Sequence, residues 1–149
     1  MKPSPLILQD YFLVEESLSV NKSYDAQKPL ELSMDDLRIT PHLQRREGEG
    51  DLWLMTLKIQ LQASPDKNIP YAFSLELSGI LEVVEGFPED KKQQLLEVNG
   101  ASMLYGAARE IVRAMTARGP YFQTVLPSVS FYPKKETSPD GISKKKEAL

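Results

Sequence analysis

Residues 52–63, LWLMTLKIQLQA, put Trp53, Met55, Leu57, Ile59 and Leu61 on one side of an extended chain and Leu52, Leu54, Thr56, Lys58, Gln60 and Gln62 on the other. Such a run of period-two alternation does not fit a helix; it specifies a strand with one apolar face that needs a covering layer. GEGD (48–51) before it and SPDKN (64–68) after it are turn compositions. The next run, YAFSLELSGILEVVEG (71–86), is a further strand with Phe73, Leu75 and Leu77 on one face, and its Gly79 permits a bulge or bend. Upstream, LILQDYFLVEESLSV (6–20) mixes aromatic and aliphatic residues with acids and has no helix cap, which suits a long, bent first strand. Residues 30–47 read as an irregular second strand at a sheet edge, because Pro41 interrupts any central ladder.

Helical periodicity begins only after these four strands. PEDKKQQLLEV (88–98) opens with Pro88 at a first turn and with Glu89 and Asp90 at the positive end of the helix dipole. Asn99-Gly100 is expected to break this short helix, and a longer one follows from about Ala101 to Arg118, closed by Gly119 and Pro120. Leu104, Ala108, Ile111 and Met115 form one apolar stripe on it, and Met103, Ala107 and Ala114 form an adjoining stripe of mostly small residues. Together they are wider than one sheet face requires, so the second stripe is a candidate oligomer interface; the alternative is that its alanines serve helix propensity alone. The expected class is α+β: a four-stranded antiparallel sheet, then a short and a long helix, in one domain over 1–133 with a flexible charged tail over 134–149.

Charge and composition narrow the functions available. The net charge of −3 conceals an uneven distribution: Tyr132 to Leu149 carry five Lys against three acids, which leaves −5 on the first 131 residues. An acidic body is a poor nucleic-acid binder, since phosphate neutralisation needs a basic face. With no cysteine and one histidine, thiol chemistry and thiolate or imidazole metal sites are not expected. The apolar run Leu6 to Leu8 is far short of a signal-peptide core and no stretch approaches a membrane span, so the expected compartment is the cytoplasm, without membrane insertion.

No catalytic constellation stands out. His42 has no partner of its kind, the acidic pairs Glu15/Glu16 and Asp35/Asp36 point to opposite faces if extended, and neither GEGD nor NGAS has phosphate-loop spacing. The expectation is a binding protein, not an enzyme, with no cofactor and no metal.

One stretch carries more specific information. AREIVRAMTARG (108–119), followed by LPSVSF (126–131), resembles the SecB family of bacterial export chaperones. The matching positions are Ala108, Arg109, Glu110, Met115, Arg118, Gly119, Leu126, Val129 and Phe131, and AFSLELSGILEV (72–83) resembles the family's fourth strand through Gly79-Ile80. The resemblance implies an assembly of dimers with long helices between them. It also implies an ATP-independent holdase for unfolded or precursor polypeptides, serving either export through the SecA motor or protection of an antitoxin. The family's second apolar helix after the Phe has no counterpart in the polar sequence beyond Tyr132.

Holding an unfolded chain requires exposed apolar grooves and backbone edges that accept any sequence. The candidate groove wall is Tyr121, Phe122, Leu126, Val129 and Phe131, joined by Tyr71 and Phe73; packing of these residues on the chain's own sheet is the equally weighted alternative. For motor docking, Glu15 or Glu16 on the first strand and Glu76 on the fourth are the candidate carboxylates, with Ser74 standing where the family has glutamate. Two other classes remain open. A hot-dog acyl thioesterase would need a polar group near the helix start, where Asn99, Ser102 and Tyr105 are the residues on offer, and a structural adaptor would bind one folded partner.

Overall fold

A computed structural model describes residues 1–62, 64 and 66–133. The expected charged tail, and with it the question of a second helix, lies outside them. Four strands, β1 (Leu6–Val20), β2 (Leu37–Arg45), β3 (Asp51–Leu61) and β4 (Tyr71–Val83), precede the helices α1 (Glu89–Gln94) and α2 (Ala101–Thr116). The sheet is wholly antiparallel in the order β1-β4-β3-β2, so both β1 and β2 are edges.

The alternation in β3 decides which face is covered. Met55, Leu57, Ile59 and Leu61 are buried beside Leu75, Leu77, Leu81 and Val83 of β4, and Leu104, Ala108, Val112 and Met115 of α2 close over them. Each fully buried side chain of this size contributes about 1.5–3 kcal/mol. The other sheet face has Thr56, Lys58, Glu76 and Ile80 partly exposed, with no helix over it among the described residues.

Four expectations need revision. The irregularities near Gly79 lie across from it, in β1, where the register slips between Leu8 and Asp10 and again between Leu13 and Glu15. β2 is shorter and more regular than 30–47: its Pro41 pairs with Leu57 at the free edge, where the absent N–H leaves no inner ladder bond unmade. Asn99-Gly100 does not break the helix. The chain passes through a wide π-helical turn, Leu95–Gly100, directly into α2, with Gly100 in helical geometry (φ −61°, ψ −48°). A Cβ at Gly100 would come within 2.7 Å of Leu81, so glycine here allows close approach of the helix to the sheet. The buried stripe of α2 is also rotated from the expected one: Tyr105 and Val112 are in it and Ile111 is half-buried.

Candidate functional site

After α2 the chain turns at Gly119 and runs back, extended, to Phe131; this segment, 121–131, is called the strap. Among the described residues it has no ladder partner. Its backbone is held instead by side chains. The Tyr71 hydroxyl accepts from the Tyr121 N–H at 2.9 Å and donates to the Tyr121 carbonyl at 3.3 Å. The buried Thr116 hydroxyl accepts from the Thr124 N–H at 2.8 Å, while Arg109 Nε donates to the Leu126 carbonyl at 3.1 Å and the Tyr105 hydroxyl to that of Pro127 at 2.5 Å. Burial pushes the Tyr105 phenol above its ordinary pKa, against the opposing pull of the Arg109 guanidinium, so the hydroxyl stays a donor at neutral pH.

These anchors give the strap an inner and an outer side. Thr124 and Leu126 are buried; Phe122 and Val125 face outward and are exposed, Phe122 to 85%. Val129 and Phe131 lie half-buried against the core, Phe131 edge-on to Tyr105 with ring centroids 5.8 Å apart. Tyr121 is half-buried, edge-on to Tyr24 at 4.8 Å.

Across from the strap lies the connector between β1 and β2. Its residues have no periodicity, but its position is tightly specified. Asn68, in the β3–β4 turn, donates through Nδ2 to the carbonyls of Asp25, Lys28 and Pro29, and its Oδ1 accepts from the Asp25 N–H. Asn21 Nδ2 donates to the Ile69 carbonyl, and Lys67 pairs with Asp36 at 2.8 Å. Tyr24, Leu30 and Leu32 are thereby set opposite Phe122 and Val125 over a floor of Leu61, Ile69 and Pro70. The result is a small apolar depression with two exposed aliphatic rims, Leu30 at 56% and Val125 at 56%.

Of the seven groove candidates, Phe122 alone is a fully exposed wall. Tyr71, Phe73 and Leu126 are in the core, at 0%, 4% and 0% exposure, because strand alternation and the side-chain anchors turn them inward. Sequence reasoning missed Tyr24, Leu30, Leu32 and Val125; the connector carried no periodic signal, and the asparagines that place it act through contacts 39 to 48 residues apart in the chain.

Elsewhere, Glu15 and Glu76 are paired directly across β1 and β4 on the uncovered sheet face, whereas Glu16 pairs with Leu75 and belongs to the other face. Lys58 pairs with Glu76 from the β3 side, so the acidic row has a cation at its end. On α2, Met103 and Ala107 are half-buried and Ala114 is exposed. β1 itself exposes Tyr11, Phe12, Leu13 and Val14, each by 45% or more, along a free edge. The polar groups near the helix start are not gathered into a site: Ser102 donates to the Val98 carbonyl, Tyr105 to Pro127, and Asn99 is exposed. Among the described residues no three His, Cys, Asp or Glu side chains converge as metal ligands, and no helix is long and apolar enough to cross a membrane.

Known proteins resemble this chain in sequence and in fold. A protein-export protein SecB of Hydrogenovibrio crunogenus (strain DSM 25203 / XCL-2) is 25% identical over 124 residues, covering 80% of this chain and 83% of that protein. The Mycobacterium tuberculosis Rv1957 SecB-like chaperone, solved in complex with a ChAD peptide from the Rv1956 HigA1 antitoxin, superposes with a TM-score of 0.67 at 16% identity. The alignment covers 85% of this chain and 91% of that one, which shows a shared fold. The family model for SecB, preprotein translocase subunit SecB, matches residues 6–133, and with the sheet, the long helix and the strap in place the chain belongs to the SecB family of chaperones, which are not enzymes.

Proposed function

We propose that the protein is an ATP-independent holdase of the cytoplasm that binds unfolded or precursor polypeptides in the depression between the connector and the strap. The chaperone unit is residues 1–133, and 134–149 form a charged extension. The observation that carries this reading is the exposed apolar pair of rims, Leu30 and Val125 with Phe122, over a preformed apolar floor. A client side chain entering it buries apolar area, worth about 25 cal/mol per Å², without specific polar recognition. Repetition of the site around a homo-oligomer would prolong retention.

The test is light scattering of a chemically denatured client diluted with and without the protein, in the absence of nucleotide. Protection at equimolar subunits is expected, reduced several-fold by Phe122→Ser, whose side chain is outside the core; no protection by the wild-type protein overturns the reading.

For export, the Glu15–Glu76 row is the candidate docking surface for the SecA motor. A second reading, a SecB-like chaperone dedicated to a single partner such as an antitoxin, is favoured by Lys58, which offsets that row at Glu76. Identification of the polypeptides that copurify separates the two: many precursors support export, and one stoichiometric partner supports dedication.

A further inference from the structure

The strap is a long segment whose side chains Leu126, Val129 and Phe131 pack on the core but whose backbone has few polar attachments. Among the described residues, no backbone group from 122 to 131 bonds to another backbone group. Of the backbone groups in that span, the Thr124 N–H and the carbonyls of Leu126 and Pro127 alone have partners among the described residues, and all three partners are side chains of α2: Thr116, Arg109 and Tyr105. As the strap advances from 124 to 127 its anchors retreat along the helix from 116 to 105, so the strap runs antiparallel to α2 and each contact fixes a different point. Tyr105 and Arg109 are four residues apart and therefore stack on one helix face. They hold two successive carbonyls directly after Val125, the strap's aliphatic rim.

We propose that Arg109 and Tyr105 are positioning residues for client binding, which hold the strap beyond Thr124 so that Val125 stands across the depression from Leu30; Phe122 lies between the Tyr71 and Thr116 anchors and does not depend on Arg109 or Tyr105. Neither residue lines the depression. They act through the backbone: without them the segment beyond Thr124 loses its polar attachments to α2, the rim loses its fixed position, and a client must bear the entropy of ordering it. This inference rests on reading the depression as the client site.

The test uses the full chain with Tyr105→Phe, which removes only the hydroxyl, Arg109→Met, which removes the donor and keeps an aliphatic stem, and Arg109→Lys as the conservative variant. The probe is a permanently unfolded polypeptide, reduced and carboxymethylated. Affinity is measured by fluorescence anisotropy, and the free protein is followed by backbone amide order parameters of residues 125–131. The wild-type strap is expected near the rigid limit of about 0.85, and both Tyr105→Phe and Arg109→Met below about 0.6. Each should weaken probe binding at least about tenfold, the equivalent of one decade in an equilibrium constant, with unchanged order in β3 and β4 and partial recovery in Arg109→Lys. If Arg109→Met does not fold, Tyr105→Phe carries the test. Wild-type affinity in the variants, or a strap that stays rigid, overturns the positioning role and leaves the client site standing. A wild-type protein that does not bind the probe overturns the client site and the positioning role with it.

Discussion

At Gly119 the place a Cβ would occupy is taken by the Tyr71 hydroxyl and its ring edge, closer than van der Waals contact allows. Tyr71 cannot swing away freely, since it is fully buried and its hydroxyl is committed to both backbone groups of Tyr121. Glycine at this position is thus a requirement of the turn that sends the chain from α2 into the strap, and the Arg118-Gly119 pair in the sequence has a steric cause. Gly119→Ala is expected to destabilise the fold by about 1–3 kcal/mol, as overpacking does in a filled core, and to loosen Tyr121. Urea denaturation measures the first effect; an unchanged midpoint with unchanged slope would contradict the contact. The same reasoning separates Tyr71 from the proposed client site, since a hydroxyl occupied on both its donor and acceptor sides is a structural fixture.

Between elements, the tie that joins α1 to the sheet is ionic. Asp51, the first residue of β3, meets Lys92 of α1 at 2.7 Å, accepts from the Trp53 indole N–H at 2.8 Å and lies 3.8 Å from Arg45. Burial works to raise the Asp51 pKa, but the contacts with Lys92, Trp53 and Arg45 outweigh it and hold the carboxyl below its ordinary value; Lys92 is held above its own by Asp51 and Glu89. A lowered carboxylate contributes stability that is fully present above the unfolded value, about 3.9, and is lost as pH falls through the folded one. Acidification below about pH 4 should therefore weaken the fold through Asp51, and Asp51→Asn should flatten that limb of a stability–pH curve measured by denaturant midpoint. The raised lysine acts at the opposite limit, losing its contribution only as pH rises through its elevated value. An Asn variant with the wild-type acid limb would remove Asp51 from the account. Elements also show where sequence reading succeeds. β3 and β4 are legible because Trp53 to Leu61 and Phe73 to Leu77 obey a period that only a half-buried strand needs. The uninterrupted passage through Asn99-Gly100 was not, because the packing of Leu81 against Gly100 that permits it is a contact across the fold. The candidate site divides in the same way. Phe122 was legible as an apolar residue outside any periodic element, whereas the opposing wall of Tyr24, Leu30 and Leu32 depends on Asn68, whose amide has no local signature.

At the scale of the molecule, the apolar surface is distributed in a way that a lone chain does not require. The depression accounts for Leu30, Phe122 and Val125, but not for Tyr11, Phe12, Leu13 and Val14, which line an unpaired strand edge on both faces. An exposed, long apolar edge strand invites pairing with another strand. The stripe Met103, Ala107 and Ala114 on α2 is a second candidate surface: Met103 and Ala107 are half-buried against the core and Ala114 is exposed, and its two alanines are small enough for close helix approach. Two independent surfaces predict assembly in two steps: one pairs chains, the other pairs the pairs. Val14→Lys places a charge on the β1 edge, and Ala114→Arg places a long cation on the helix stripe. Sedimentation of the wild-type protein should give a mass of several chains. Each variant should shift it downward with unchanged far-ultraviolet circular dichroism, and the two together should yield single chains. A monomeric wild-type protein at micromolar concentration would remove both interfaces. Loss of mass with only one variant would leave one interface and make the other surface a binding face instead. If the depression is the client site proposed above, each copy brings one, and the same measurement sets how many apolar sites a long client can engage at once, and hence how strongly a site that is individually small can retain it.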